Sequence, residues 1–596
     1  MKKVKKRFEM NPKYKLDLSE LYTSDKEWQM DYEKVSNELD AFSKYAGNLS
    51  SNGEELLNVL KVQDNLQKTI QHLYLYAKLK HYQDMQDTDN KILSGKADDI
   101  YTKANTAISF VDPEVLAIGE EKVKDFMFST EELKIYKAYF DNLFRKEKHM
   151  LSEREEKILA MSSSMAKIPR NLFNILNNID VKIDTVQDSK GNEVEVTHGN
   201  YTKLLESKDR VLRENVYNTY YKFYVSHKNT FAGMYSSSIK KESFFSEVRG
   251  YNSSLEASLH EDNIPISVYT SLIETVNKGI ALSHRCTSIR KKNLGLDSLK
   301  PFDLFVPMVE NIEYKIDYEQ AKDLILKSLE PMGEEYLSIA KNILDSNWID
   351  VYENENKISG AFSWGAYGTP PYIMMNYVDN LNSLFTLTHE LGHSIHSHYS
   401  RTCQPFVYSD YTIFLAEVAS TTHEAMLIEY MLKTTTDINM KKYLLNYQIK
   451  NFISTFFRQT MFAEFELQAH QLEKDKKVIN VEDLTSIYEN LLKNYFGKDL
   501  EIDNNLIHEW ARIPHFYRSF YVFQYATGFA SAMAISKNIL DNGQKAIENF
   551  VSMLKGGCSD YPIPLLQQGG VDMTTSKPIE ETLEVFENLL NEFEKL

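Results

Sequence analysis

The chain has 596 residues, of which 42% are hydrophobic and 12% aromatic, so it is long and apolar enough to bury a sizeable core. This composition excludes an intrinsically disordered protein, which would be poor in the large side chains that form a core. Acidic side chains number 85 against 68 basic ones, giving a formal net charge of −17, which argues against a nucleic-acid-binding protein.

The cellular location is predicted from the cysteines and from the first residues. Cys286, Cys403 and Cys558 are too few and too far apart for a disulfide framework, as is usual in a reducing compartment. The basic residues 1–7 are followed by polar residues instead of the apolar stretch of a signal peptide. No apolar run is long enough to span a bilayer. We therefore expect a cytoplasmic protein whose partners are neither membranes nor nucleic acids.

Helical patterns dominate the first third of the chain. Ser24 and Glu27 match a capping box, the side-chain pattern that opens many helices. Apolar side chains then recur at helical spacing from Trp28 to Phe42. The sequence therefore predicts a helix that begins directly after Ser24.

A β-hairpin is the clearest strand signal in this part of the chain. Residues 181–183 and 194–196 alternate apolar and polar side chains on either side of a turn at 188–192. We place a domain boundary near the end of this hairpin. It divides the chain into a helical N-terminal domain, residues 1–200, and a second domain, residues 201–596.

A second pair of short strands is predicted at 360–364 and 372–375, separated by a Gly/Pro turn at 368–371. A long helix follows directly, and the later segments are helical again. Ser576 and Pro578 open the last helix. The predicted fold class is mainly α with a small β-sheet.

The segment that carries chemistry is the His-Glu-x-x-His motif formed by His389, Glu390 and His393. Residues four apart share one face of a helix, so both imidazoles can bind the same ion. Glu390 lies 100° further round the helix, where it can reach a water without binding the metal. Leucines and an isoleucine form an apolar stripe away from His389. This arrangement predicts a zinc site.

A hydrolytic zinc site has three protein ligands, so a third ligand must lie elsewhere. The position six residues after the second histidine is Tyr399, which excludes the metzincin pattern. The downstream candidates are Asp410, Glu417, Glu424 and Glu429. Glu417 is favoured because it is an isolated acid on an apolar helix, where a carboxylate needs a partner.

Other polar residues near the motif have less specific interpretations. Glu424 lies on the same helix face as the favoured acid, and it is either a surface residue or a support for a metal ligand. His396, His398 and His423 are expected to be packing or surface residues and not ligands.

These residues resemble the thimet/neurolysin-type zinc oligopeptidases, and most closely their oligoendopeptidase F branch. The similarity is carried by residues 389–394 (His-Glu-Leu-Gly-His-Ser) and 414–420 (Phe-Leu-Ala-Glu-Val-Ala-Ser). Segments 251–257, 520–528 and 559–562 also fit the branch. Glu417 follows His389 by 417 − 389 = 28 residues, a spacing that is far more specific than the first motif alone.

The resemblance implies an elongated, mostly helical zincin-type metallopeptidase with a small sheet beside the active-site helix. It implies one zinc ion at the floor of a deep substrate channel, under a lid formed by the N-terminal domain. The expected substrates are short unstructured peptides. Glu390 would act as general base, and an edge strand at 360–364 would pair with the substrate or be an ordinary buried strand.

The resemblance also implies that one histidine and two tyrosines face the metal. The matching residues are His515, Tyr521 and Tyr525, and the two tyrosines would share one helix face; Tyr517 is a weaker candidate. The alternative is that these side chains belong to the core. The sequence departs from the branch at Cys558, where a small residue such as glycine is expected, and the loop before Tyr521 lacks the paired glycines of the thimet branch.

Two other functions fit the sequence less well. A zinc exopeptidase of similar architecture would need a charged group that captures a chain end, and several Arg or Lys residues could serve. A non-catalytic peptide-binding protein is disfavoured because His389, Glu390, His393 and Glu417 are all intact.

Overall fold

The computed structural model describes residues 4–309 and 314–596. The fold is mainly helical, as predicted. The α-helices of the first half, in chain order, are α1 Asp25–Phe42, α2 Gly53–Gln83, α3 Thr88–Ile108, α4 Val111–Ile118, α5 Glu120–Ser129, α6 Lys137–Glu147, α7 Glu153–Ala166, α8 Ile168–Asn178, α9 Tyr201–Leu205, α10 Arg210–Ser226, α11 Lys228–Val248, α12 Ser254–His260, α13 Ile266–Lys278 and α14 Ala281–Asn293.

The second half continues with helices and a small sheet. Its α-helices are α15 Tyr318–Ser328, α16 Glu334–Asp345, α17 Leu381–Cys403, α18 Ile413–Thr434, α19 Ile438–Asn451, α20 Arg458–Lys474, α21 Val481–Phe496, α22 Phe523–Asn542, α23 Gln544–Leu554, α24 Pro562–Gln568 and α25 Lys577–Lys595. The strands described in the whole chain are β1 Val186–Gln187, β2 Glu193–Val194, β3 Ile349–Asp350, β4 Phe362–Trp364 and β5 Tyr372–Met374.

The first and last predicted helices are confirmed, with one difference at the first N-terminus. Ser24 Oγ accepts a hydrogen bond from the Glu27 N–H, as in a capping box. The Glu27 carboxylate, however, accepts from the backbone and hydroxyl of Thr23 instead of the Ser24 N–H. At the other end of the chain, α25 follows Ser576 and has Pro578 in its first turn.

The first hairpin forms, but its strands are not where the sequence pattern places them. β1 pairs antiparallel with β2, with Val186 opposite Val194 and Gln187 opposite Glu193. The predicted strand at 181–183 is therefore wrong: the first strand is only two residues long and begins at Val186. The two strands pair only next to the turn, in which the Asp188 carbonyl accepts a hydrogen bond from the Gly191 N–H. The alternation of apolar and polar residues at 181–183, further from the turn, therefore does not correspond to a paired strand.

The second predicted pair of strands is confirmed and packs beside α17. β4 pairs antiparallel with β5, and β3 adds to the other side of β5 in parallel. Within the described residues this sheet has the order β3-β5-β4, so β4 lies at an edge. Sheet residues Tyr372 and Met374 belong to the same apolar core as α1–α3. β3 has no counterpart among the strands predicted from the sequence.

The described residues divide into two compact units, each assembled from three stretches of chain. Unit 1 comprises Met1–Lys148, Glu313–Tyr430 and Ile535–Gly570. Unit 2 comprises His149–Ile312, Met431–Ala534 and Val571–Leu596. Both units are thus built from segments on either side of residue 200, and the functional division predicted there stays a prediction.

A buried ion group joins distant stretches of unit 1 beside the sheet. The Asp350 carboxylate of β3 is fully buried and accepts from Arg7 Nη1 at 2.9 Å and from the Leu16 N–H at 3.0 Å. Lys357 Nζ, also fully buried, lies 2.7 Å from the same carboxylate. Because Arg7 pairs with this buried carboxylate, the start of the chain is anchored to the sheet that flanks α17.

Candidate metal centre

The helix that carries the motif, α17, buries an apolar face and leaves the two histidines of the motif partly exposed. It begins where the Asn380 side chain accepts a hydrogen bond from the Ser383 N–H at 2.9 Å. The predicted apolar stripe is fully buried and consists of Leu384, Leu387, Leu391 and Ile395. His389 and His393 lie off this stripe, and their side chains stay 28% and 18% exposed. The helix therefore presents both imidazoles from a fixed backbone.

Helices α17 and α18 approach each other so closely at Gly392 that only glycine fits. A Cβ at this position would lie 2.5 Å from the Ser420 Cα atom and 2.8 Å from the Ser420 nitrogen, distances that real Cβ atoms do not show. Glu417 precedes Ser420 by one helical turn. The close approach therefore brings the Glu417 carboxylate to the two histidines.

Three ligand atoms converge between these helices. His389 Nε2 lies 3.2 Å from Glu417 Oε2, His393 Nε2 lies 3.6 Å from that oxygen, and the two Nε2 atoms are 3.2 Å apart. A tetrahedral zinc ion bound at about 2.0–2.2 Å from each atom would hold its ligands about 3.3–3.6 Å apart. No other group of three such side chains comes together in the part of the chain that the structure describes. The donor set and its spacing fit a zinc ion.

The three side chains perturb one another's pKa values. Burial lowers the pKa of His389, but hydrogen bonds with Glu417 and Glu424 raise it to about 10. Burial and the neighbouring His389 lower the pKa of His393 to about 4. The pKa of Glu417 falls to about 2 in spite of burial, because both histidines stabilise its charge. Without a metal, His389 and Glu417 thus carry opposite charges and His393 is neutral, and His389 must release its proton before it can bind a metal ion.

Hydrogen bonds behind the histidines fix the direction of each ring. Glu424 Oε1 lies 2.6 Å from His389 Nδ1, and the backbone of Ala416 hydrogen-bonds with the ring of His393. A metal-binding histidine needs its second nitrogen engaged in this way, because the partner selects the tautomer and aims the first nitrogen. Glu424, for which the sequence analysis left two interpretations open, thus contacts one of the candidate ligands, His389.

Glu390 is buried next to the ligand atoms without being one of them. Burial raises its pKa to about 7, although the charge of His389 acts in the opposite direction. The Ser363 N–H of β4 donates a hydrogen bond to its carboxylate, and Ser363 Oγ lies 2.9 Å from Ser394 Oγ on α17. The edge strand therefore holds the acid of the motif, a contact that the sequence did not reveal.

The remaining histidines of this region lie in packed or half-buried positions outside the ligand group. His396 is fully buried and stacks on Tyr411, with ring centroids 3.7 Å apart. His423 is also fully buried, and its Nε2 lies 2.6 Å from the Tyr336 hydroxyl. Burial lowers the pKa of His398. These positions agree with the sequence-based expectation of packing or surface roles.

His515, Tyr521 and Tyr525 form a cluster of rings in unit 2. The His515 and Tyr521 rings are parallel at 6.4 Å, and the Tyr525 ring stands perpendicular to both, at 6.0 Å and 5.4 Å. The expectation that both tyrosines share a helix is wrong, because α22 begins at Phe523, after Tyr521. Tyr517 is buried, and its ring lies 4.5 Å from that of Phe173, as in a core residue.

The structure gives a reason for the unusual Cys558. The preceding Gly557 has φ +54°, and a Cβ there would lie 2.0 Å from the Tyr408 carbonyl oxygen, so that position requires glycine. The Cys558 N–H donates to the same carbonyl at 3.0 Å, and its side chain lines a cavity of about 330 Å³ in unit 1. This cavity thus provides the space for a cysteine side chain at position 558, where the family resemblance leads us to expect glycine.

Sequence profiles of known families match this chain over most of its length. The profile of peptidase family M3 matches residues 203–585, and the Oligopeptidase F profile matches residues 114–183. The chain belongs to peptidase family M3. Oligopeptidase PepF of Bacillus subtilis (strain 168) is 43% identical over 579 residues, which are 97% of this M3 peptidase and 86% of that protein. An oligoendopeptidase F homolog of Lactococcus lactis subsp. lactis (strain IL1403) is 36% identical over 594 residues, covering 100% and 99%.

Solved structures agree with the sequence matches. Oligoendopeptidase-F from Enterococcus faecium has a TM-score of 0.74 and 35% identity, covering 96% of this chain and 99% of that one. A chain from Chlamydophila abortus has a TM-score of 0.92 and 34% identity, covering 99% of both. The resemblance drawn from the sequence is therefore confirmed, and the M3 peptidase is a metallopeptidase. Its described helices include none that is both long and apolar enough to cross a membrane.

Proposed function

We propose that this M3 peptidase is a zinc-dependent endopeptidase that hydrolyses internal bonds of short, unstructured oligopeptides. His389, His393 and Glu417 would hold one zinc ion, and the convergence of their three ligand atoms at 3.2–3.6 Å is the observation that carries the proposal. Zinc bound there would acidify a water molecule and polarise the carbonyl of the scissile bond.

Glu390 is the proposed general base. Its carboxylate is buried beside the ligand group and is oriented by the Ser363 N–H. It would accept the proton of the attacking water and later deliver that proton to the leaving nitrogen. A carboxyl group whose pKa lies near the working pH can perform both transfers, because it can accept the proton from water and can also release it to the leaving nitrogen.

The edge strand β4 is the proposed docking site for the substrate backbone. In an antiparallel pair, alternate residues direct their N–H and C=O groups away from the partner strand. Ser363 donates its N–H to Glu390, so it is the residue of β4 whose backbone faces away from β5. Because this N–H is engaged by Glu390, an extended peptide added along this side would pair with the Ser363 carbonyl, which would bring its scissile bond close to Glu390; main-chain pairing of this kind tolerates many sequences.

His515, Tyr521 and Tyr525 are proposed to contact the substrate during the reaction. This assignment rests on the family resemblance, which implies that such a histidine and two tyrosines face the metal. A phenol that donates to the developing oxyanion typically contributes about 10²–10³ in rate. Tyr521→Phe and Tyr525→Phe should keep zinc and fold, and at least one should lower kcat much more than it raises KM.

The proposal extends to the surroundings of the enzyme. Short peptides are the proposed partners, and neither nucleic acid nor a membrane surface is needed, in keeping with the net charge of −17. The cytoplasm is the proposed location. Residues 1–200 are proposed to act as a lid over a channel that admits only short, unfolded chains.

Product analysis tests the endopeptidase activity directly. A peptide blocked at both termini is incubated with the enzyme as prepared, with enzyme treated with a chelator, and with chelated enzyme to which zinc is returned. We expect internal fragments in the first and third reactions and none in the second, as detected by mass spectrometry. Release of single residues or dipeptides from unblocked peptides, with no cleavage of the blocked one, would identify an exopeptidase instead.

A further inference from the structure

Helix α20 buries two polar side chains one turn apart in unit 2, Glu466 and His470. Glu466 is 0% exposed and His470 8% exposed. Glu466 Oε1 accepts a hydrogen bond from the Phe520 N–H at 3.0 Å. Its Oε2 and both nitrogens of His470 have no hydrogen-bond partner within residues 4–309 and 314–596. Burial raises the pKa of Glu466 well above its ordinary value. The Glu466 carboxyl is thus fully buried with a single hydrogen bond, which is costly for stability alone.

Phe520, the residue held by Glu466, has an unfavourable backbone conformation. Its φ is +56°, in the left-handed region that bulky side chains rarely adopt. Such a conformation persists only where the surroundings enforce it. Here the Phe520 N–H is bound by Glu466, and its ring packs 4.5 Å from that of His470 and edge-on to Tyr269 at 5.7 Å. Glu466 and His470 thus hold the backbone and the ring of the same residue.

The reversal at Phe520 determines where the neighbouring tyrosines point. A 3-10 turn, Pro514–Tyr517, lies before it, and α22 begins three residues after it at Phe523. Between these two elements the chain must turn sharply for Tyr521 to lie parallel to His515 and for Tyr525 to stand against both rings. A relaxed φ at residue 520 would redirect Tyr521, which follows it directly.

We propose that Glu466 is a positioning residue for Tyr521 and Tyr525. By accepting the Phe520 N–H it holds the left-handed turn that orients the two phenol groups. This inference rests on the proposed function, in which those phenols contact the reacting peptide. It explains why a carboxyl that forms one hydrogen bond occupies a fully buried position, where an apolar side chain of similar volume would pack without any loss of hydration.

The test compares Glu466→Leu, which removes the acceptor, with Glu466→Gln, which keeps an amide oxygen in the same place. Gln468→Leu, on the same helix, is the matched control for replacing a polar side chain by leucine. We expect Glu466→Leu to retain zinc and KM but to lose about 10- to 100-fold in kcat, since small misplacements of catalytic groups have effects of this size. Glu466→Gln and Gln468→Leu should stay within about threefold of the parent enzyme.

A rescue experiment separates positioning from a merely structural role. Phe520→Gly, introduced into Glu466→Leu, removes the conformational penalty at φ +56° and should restore part of the lost kcat. If Glu466→Leu does not fold, Glu466→Met, which is unbranched and adapts to irregular cavities, replaces it in the same comparison.

The outcomes distinguish this inference from the proposed function on which it rests. Wild-type kcat in Glu466→Leu would overturn the inference, as would a loss of kcat matched by an equal loss of zinc. If Tyr521→Phe or Tyr525→Phe lowers kcat while Glu466→Leu does not, only the inference fails. If neither tyrosine variant lowers kcat, the assignment of the tyrosines fails, and the positioning role fails with it.

Discussion

At the scale of single residues, the proposed general base is Glu390. Its carboxyl is buried beside the ligand atoms, and burial raises its pKa to about 7. Glu390→Gln keeps the shape of the side chain but cannot accept a proton. We expect this variant to bind zinc normally and to lose at least about 10²–10⁴ in turnover. Metal content and kcat measured on one preparation test this, with the exposed Glu335→Gln as a control that should change neither. A parallel fall of zinc and kcat would contradict the role.

Individual site residues differ in how far the sequence alone predicts them. His389, Glu390 and His393 follow from spacing along one helix, which is local information. Glu417 is singled out from four downstream acids by its apolar neighbours, but its contact with the histidines depends on how α18 crosses α17. The roles of Glu424 and Ser363 depend on the same tertiary contacts. These contacts join segments that are distant in sequence, so no local pattern predicts them. The sequence therefore leaves the role of Glu424 open and gives no indication of the contact made by Ser363.

At the scale of elements, the crossing of α17 and α18 brings the three candidate metal ligands together. A Cβ added to Gly392 would lie 2.5 Å from the Ser420 Cα atom, so Gly392→Ala should force the two helices apart. Overpacking of this kind destabilises a protein by about 1–3 kcal/mol. It should also move Glu417 away from the histidines and weaken zinc binding at least about tenfold. Competition with a chelator and the melting temperature report the two effects.

Gly95→Ala is the matched control for this substitution. Gly95 lies within α3, and a Cβ there would meet nothing within 4 Å. Since alanine favours the helix over glycine, Gly95→Ala should leave zinc binding unchanged and raise the melting temperature slightly or not at all. Equal zinc affinity in the two variants would show that the helix crossing does not depend on Gly392.

A buried carboxylate ties four elements of unit 2 together. Glu509 accepts hydrogen bonds from Arg458, Arg512, Tyr221 and Tyr488 at 2.5–3.0 Å. Burial acts to raise its pKa, but the two arginines lower it to about 2. A depressed pKa means that this carboxylate stabilises the folded state above its unfolded pKa of about 4.3, and that the stabilisation is lost as pH falls toward 2.

Two measurements follow from the position of Glu509. The melting temperature should decline between about pH 4.3 and pH 2. Glu509→Gln should lower it already at neutral pH, because two partly buried arginines then lack their counter-charge. Glu489→Gln removes one partner of an exposed pair with Lys493 on α21 and serves as control, with little expected effect. A melting temperature of Glu509→Gln equal to that of Glu489→Gln would contradict this account.

Elements are predicted well where their signal is local and poorly where it is not. The helices at both ends of the chain and strands β4 and β5 follow from caps, periodicity and Gly/Pro turns. β3 is only two residues long and pairs in parallel with a strand more than twenty residues away, so its neighbours in sequence do not reveal it. Tyr521 was expected on a helix because Tyr525 follows at helical spacing, but the left-handed Phe520 delays the helix to Phe523.

At the scale of the whole molecule, the proposed channel and lid predict that substrate length limits the rate. One cleavable sequence is presented in a peptide of about ten residues and again within a long unfolded chain such as casein. The bond should be cut far more slowly in the long chain, because only a short peptide can be enclosed completely. Equal rates per bond in both substrates would rule out the channel, while leaving the metal site and the base unaffected.

The central claim is that His389, His393 and Glu417 bind the catalytic zinc ion, and anomalous X-ray diffraction at the zinc absorption edge tests it most directly. A crystal of the zinc-loaded enzyme should give one strong anomalous peak about 2.0–2.2 Å from the two Nε2 atoms and from the Glu417 carboxylate, with Glu390 outside bonding distance. No peak at this position, or a peak bonded to Glu390 in place of Glu417, would contradict the account.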